Sequence, residues 1–230
     1  MRIDTKMNLD SFSLFLTALS GICWTIVYVD SLRLGLRDRT YAMPFWALAL
    51  NAAWEVLHAV IGYQQQGFSV QNAINAVWFI LDVGILYTYF RFGKKHFPES
   101  LQAHWFYVWS FLGFLTALLL QYFFITEFGL NPGAAYSAFL QNLLMSVLFI
   151  NMLVQRRSSE GQSLTIGISK WLGTLAPTIL FGFLGLGSFG PSPLVLVLGI
   201  FCSIFDLIYI WMLAKLKTNE KRNASITILL

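Results

Sequence analysis

Residues 193–214 read PLVLVLGIFCSIFDLIYIWMLA, an apolar run whose single charge is Asp206. About 20 mostly apolar residues wound as a helix match the hydrocarbon thickness of a bilayer. A carboxylate in that medium is costly, so it normally faces the interior of a helix bundle and has a task. The same pattern recurs upstream. Residues 45–63, FWALALNAAWEVLHAVIGY, hold Glu55, and residues 74–90, INAVWFILDVGILYTYF, hold Asp82.

Composition agrees with these three stretches. The chain is 57% hydrophobic and only 11% charged, with a mean hydropathy of +0.65. Soluble domains carry roughly a quarter charged residues. One bundle accounts for residues 1–230 as a single domain, with no repeat, linker or low-complexity segment.

Seven apolar stretches are long enough to span: Leu9–Val29, Pro44–Tyr63, Ala73–Tyr89, Trp105–Phe124, Ala134–Val154, Ile168–Gly187 and Pro193–Ala214. The expected fold is therefore all-α, an integral membrane bundle of seven transmembrane helices. The first stretch is too long for a signal-peptide core and has no small-residue cleavage site, so it reads as a retained helix.

Basic residues fall in alternate loops. Arg33, Arg37 and Arg39 follow the first span, Arg91, Lys94 and Lys95 the third, Arg156 and Arg157 the fifth. Lys215, Lys217, Lys221 and Arg222 follow the seventh, and the intervening loops have neither Lys nor Arg. The positive-inside rule then puts the N-terminus in the lumen or outside and the C-terminus in the cytosol. The formal charge of +4 is a topology signal rather than a nucleic-acid footprint.

The helical rise gives the depth of each acid: Glu55 roughly 17 Å in, Asp82 roughly 14 to 18 Å, and Asp206 roughly 10 Å from the cytosolic face. All three fall in the middle or inner half of the bilayer. Each has polar or aromatic company on its own face at helical spacing. The second span lines up Asn51, Glu55, His58 and Gly62, with Trp54 beside them. The third lines up Asn72, Asn75, Trp78 or Phe79, and Asp82; the seventh lines up Cys202, Asp206 and Tyr209. The fifth adds Asn142 and Ser146. Asn and Gln in spans also serve as interhelical hydrogen-bond glue, the bland reading for Asn72, Asn75, Gln141 and Asn142.

No embedded Lys or Arg is expected to pair with the acids. A carboxyl buried without a cation is cheaper as the neutral acid, and a neutral buried acid is a proton donor. Deep aromatics such as Trp54, Trp78, Phe79 and Tyr209 pack, or line a pocket whose ring faces stabilise a cation. Cys23 and Cys202 read as small buried hydrophobes. The three histidines are too scattered for a metal cluster.

Asn51-Ala-Ala-Trp54-Glu55, Trp78-Phe-Ile-Leu-Asp82 and Asp206-Leu-Ile-Tyr209 together resemble the small integral-membrane terpene cyclases of fungal meroterpenoid and indole-diterpene pathways, of the pyripyropene and paxilline type. The resemblance spans nearly the whole chain. It implies an acid-initiated cyclase in which Glu55 and Asp206 are the essential acids, with Asp82 and His58 next to orient or reload the donor. It implies a prenylated substrate with a terminal epoxide, supplied by a prenyltransferase and an epoxidase in the endoplasmic reticulum membrane. Diphosphate is not ionised, so no metal and no cofactor are expected; D-D-x-x-D and D-x-D-D runs are absent.

Two alternatives stand beside it. A cyclase could protonate a plain alkene. A small proton-coupled transporter or receptor also buries acids, but it would more often show repeat symmetry or broken helices. A retinal protein would need a lysine deep in the seventh span, where Lys215 and Lys217 lie only at the end.

Overall fold

A computed structural model describes residues 2–185 and 190–229. It has seven helices long and apolar enough to cross a membrane. The elements that form them are α1 (Arg2–Arg37), α2 (Phe45–Gln66), α3 (Val70–Phe92), α4 (His104–Phe128), α5 (Leu130–Arg156), α6 (Leu164–Pro177) and α7 (Pro193–Leu229), the sixth span running on past α6 to Leu184. All seven expected spans are present. The sixth begins four residues before its expected start, at Leu164, because Ser163 caps it by accepting the Ile166 N–H at 3.0 Å. Beyond Pro177 the chain continues as a wider π-helical turn, Thr178–Leu184, as expected where proline removes a backbone donor. The expected end of this span, Gly187, and part of the loop GSFGPSP lie outside the described residues.

Around the bundle the helices follow the order α1, α3, α2, α4, α5, α7, α6 and back to α1, with α2 also packed across the ring on α5. α2 is the most buried span, which places Asn51, Glu55 and His58 at the centre. Its first half, Phe45 to Ala53, is buried almost all round except Trp46.

The loops rich in Lys and Arg gather at one end. Lys95 pairs with Glu160, the Asp38 carboxylate accepts the Gly161 N–H at 2.9 Å, and Arg156 stacks over Tyr41 at 4.3 Å. Ser159 donates to Glu220 at the same end. Asp30 ties α1 to the start of α6 by accepting the Ser163 hydroxyl at 2.6 Å.

Two glycines on α6 set the approach of its neighbours. A Cβ on Gly173 would lie 3.0 Å from Trp24 of α1, and one on Gly167 would lie 3.2 Å from the Tyr209 ring of α7. Close backbone approach at small residues is how membrane helices pack without a hydrophobic driving force between them.

Candidate active site

The polar interior of the bundle divides into two clusters. In the first, Tyr28 of α1 donates its hydroxyl to Glu55 Oε1 at 2.9 Å. Asn51 Nδ2 reaches the same hydroxyl at 2.5 Å and Asp82 Oδ2 at 2.9 Å. Gln121 of α4 donates to Gln141 of α5 at 2.7 Å, and Gln141 continues to Asn51 Oδ1 at 3.4 Å. Glu55, Asp82, Asn51 and Tyr28 are all buried. The hydrogen-bond partners of the two acids are uncharged groups. Glu55 Oε2, Asp82 Oδ1 and His58 Nε2 make no hydrogen bond among the described residues.

Aromatic rings frame this cluster. Trp78 stacks on Tyr28 with ring centres 5.6 Å apart and donates its indole N–H to Thr25 at 3.0 Å. Trp54 stacks on His58 at 4.3 Å, and its own indole N–H bonds to the Ala134 carbonyl of α5 at 3.2 Å. His58 Nδ1 meets the Trp54 carbonyl at 2.8 Å. A groove of about 270 Å³ lies beside Trp78 on the outer face of α1 and α3, lined by Thr25, Phe68, Val70, Ala73, Ile74 and Val77.

The second cluster corrects the sequence reading. The expectation was that no embedded cation faces the acids. Lys170 of α6 is 1% exposed, and its Nζ lies 2.7 and 2.9 Å from the two oxygens of Asp206. It also donates to Ser146 of α5 at 2.7 Å. The ammonium thus makes three hydrogen bonds, the full complement of its donors. The earlier start of α6 is the physical reason: it carries Lys170 about 9 Å along the helix instead of leaving it at the rim.

The structure therefore joins Glu55 to Asp82, and joins Asp206 to Lys170. No hydrogen bond links Glu55 to Asp206 among the described residues. Of Trp78 and Phe79, it is Trp78 that stacks beside the acid cluster, while Phe79 is half-buried on α3. Asn75 is buried but bonds to Gln71, one turn away on its own helix. Asn142 gives its carbonyl to Ser146 and leaves its side-chain oxygen unpartnered. Tyr209 shares a face with Asp206, yet its hydroxyl goes to Gln162 at 3.2 Å and its ring packs on Phe149.

Tyr28, Gln121 and Lys170 are the site residues that sequence reasoning missed. Tyr28 sits in WTIVYVD near the end of an apolar span, where a tyrosine reads as an interfacial anchor. Lys170 was findable from Ser163, whose cap places the lysine well inside the helix.

The seven-helix bundle thus buries Glu55, Asp82 and Asp206 in its interior, with aromatic rings beside the first two. The comparisons with known proteins make the class specific. The model of the Pyr4-like transmembrane terpene cyclases matches residues 7–219, and the chain belongs to that family. As a member it is an enzyme, a transmembrane terpene cyclase.

The chain is 28% identical over 213 residues to the Pyr4-family terpene cyclase mfmH of Annulohypoxylon moriforme, covering 88% of this chain and 86% of the relative. It is 26% identical over 215 residues to the terpene cyclase pyr4 of Aspergillus fumigatus, with the same two coverages of 88% and 86%. Against the terpene cyclase atmB of Aspergillus flavus it is 34% identical over 171 residues, 69% of this chain and 65% of that one. No solved structure gives a significant match.

Proposed function

We propose that this enzyme protonates the terminal epoxide of a prenylated substrate, of meroterpenoid or indole-diterpene type, and so starts a cationic polyene cyclisation. One of the two acids, Glu55 or Asp206, donates to the epoxide oxygen. The C–O bond breaks towards a tertiary cation, and successive alkenes attack it to form fused rings. Loss of a proton from carbon ends the cascade, so the product is an isomer of the substrate.

The observation that carries this reading is the acid cluster itself: Glu55 and Asp82 buried at the centre of the bundle, their side chains bonded among the described residues only to Tyr28 and Asn51, with Trp78 stacked behind. An isolated carboxylate is costly there, so the neutral acid is the favoured form, and a neutral acid in a dry site is a proton donor. Aromatic faces hold positive charge without offering a nucleophile. Exclusion of water protects the cation from quenching.

The single domain sits in the endoplasmic reticulum membrane, with its basic end in the cytosol by the positive-inside rule. A prenyltransferase and an epoxidase act before it. The chemistry draws on carboxyl groups alone, without metal or cofactor.

The test is a membrane-fraction assay with epoxyfarnesyl- and epoxygeranylgeranyl-bearing aromatic acceptors, with the same acceptors lacking the epoxide as a second arm. The expected product has unchanged mass, shifted retention and lost epoxide and alkene resonances. Turnover only of the plain alkenes would overturn epoxide protonation. No turnover in either arm from folded protein would overturn the whole reading.

A further inference from the structure

Lys170 lies about 9 Å from the start of α6, close enough for its stem to carry the charge to the interface. It does not go there. Its Nζ instead turns to Asp206 and Ser146, and both Asp206 oxygens accept from it. An ammonium has no acceptor atom, so a proton on either oxygen would have to point away from the group that binds it. The geometry is that of a carboxylate paired with an ammonium, both side chains 2% exposed.

Glu55 stands in the opposite position. It takes one hydrogen bond from the neutral Tyr28 hydroxyl, and its second oxygen is unpartnered. The two sites are held by one helix: Gln141 of α5 bonds to Asn51 in the Glu55 cluster, and Ser146 of α5 bonds to Lys170. Those two residues are about 7.5 Å apart along the helix axis.

We infer that Lys170 is a positioning residue of the cyclase: it holds Asp206 as a carboxylate, which leaves Glu55 as the acid that donates the initiating proton. This rests on the acid-initiated cyclisation proposed above. In that step the Glu55 O–H bond breaks and an O–H bond forms on the epoxide oxygen. The C–O bond opens and its electron pair stays with that oxygen. Glu55 is left as carboxylate and regains a proton, through solvent, to balance the one released from carbon at the end.

Infrared spectroscopy of the purified full chain in lipid nanodiscs tests the protonation states without substrate. The carbonyl stretch of a protonated carboxylic acid should be weakened in Glu55→Gln and unchanged in Asp206→Asn, which should instead lose carboxylate absorption. Lys170→Met should gain a protonated-acid band that disappears in Lys170→Met/Asp206→Asn. A protonated-acid band lost in Asp206→Asn, or no new band in Lys170→Met, overturns the assignment. If Lys170→Met does not fold, the Asp206→Asn spectrum alone decides.

Activity then tests the link to the reaction. With a substrate that the wild type cyclises, folded Lys170→Met should lose cyclisation and Lys170→Arg should recover part of it. Full activity in folded Lys170→Met overturns the role of Lys170. A wild type that turns over no prenylated substrate overturns the cyclisation reading instead, and the spectra separate the two failures.

Discussion

The Lys170 ammonium lies 2.7 and 2.9 Å from the two carboxylate oxygens of Asp206, in a part of the bundle sealed from solvent. This pair joins α6 to α7, and Ser146 extends it to α5. It gives Asp206 an environment quite unlike that of Glu55, whose one side-chain partner among the described residues is the uncharged Tyr28.

Breaking this pair should cost more than an exposed ion pair does. Removing one partner of a buried pair costs about 3–5 kcal/mol, because the other charge is left uncompensated. Lys170→Met should therefore lower the melting temperature in detergent sharply. Lys170→Met/Asp206→Leu, which removes both charges, should recover most of the loss. A double variant no more stable than the single one would show that the pair is not the source of the effect.

Tyr28→Phe removes the hydrogen bond to Glu55 together with the one that the hydroxyl accepts from Asn51. The ring remains stacked on Trp78, so the fold should hold. Losing a hydrogen bond to a buried group costs about 1–3 kcal/mol. If half of that falls on the transition state, kcat should drop about fivefold. Thermal stability and kcat measured side by side check this, and an unchanged kcat would remove Tyr28 from the site.

Gly167 controls how closely α7 approaches Lys170. A Cβ there would meet Ile210 at 3.0 Å and the Tyr209 ring at 3.2 Å, and a larger side chain must push α7 away. Overpacking of this kind typically costs about 1–3 kcal/mol. Gly167→Leu should destabilise the bundle and reduce cyclisation, while Gly21→Ala, with nothing within 4 Å of its Cβ, should change neither.

The loop end of the bundle should respond to acid through Asp38. The Arg37 guanidinium bonded to it holds its carboxyl below the usual range; burial opposes this, and the Gly161 N–H adds to the lowering. A lowered carboxyl contributes stability that is present above its ordinary value of 3.8 and is lost as pH falls through the lower folded value. Asp38→Asn should thus be less stable than the wild type near pH 7, and the gap should close in acid, as pH falls below 3.8 and through the lower folded value. Melting temperatures of both chains at neutral pH and in acid measure it.

Trp78 stacks on Tyr28, which bonds to Glu55, and borders the outer groove between α1 and α3. Trp78→Ala should leave protonation intact but admit water to the cation. The expected readout is a larger share of hydroxylated, partly cyclised products, and an unchanged product ratio would count against a shielding role.

Much of this was legible in the chain. The seven spans follow from hydropathy, because hydrocarbon accepts only segments whose backbone bonds are internal. Glu55, Asp82 and Asp206 stood out because an acid in lipid is too costly to be incidental. Buried Asn51 and His58 followed from helical spacing alone. Lys170 did not stand out, since a span starting at Ile168 leaves it within a turn of the membrane surface. Tyr28 did not stand out either, because it lies near the end of its span and carries no charge.

The sequence by itself determined which segments cross the bilayer and which side chains had to find partners inside it. Both are set by transfer from water to lipid, a property each residue carries with it. Only the tertiary structure decided who the partners are: Asn51 and Tyr28 for the two acids of the first cluster, Lys170 and Ser146 for Asp206. Partnership depends on the order of helices around the ring and on close approaches such as that at Gly167, and these arise from packing between segments distant along the chain.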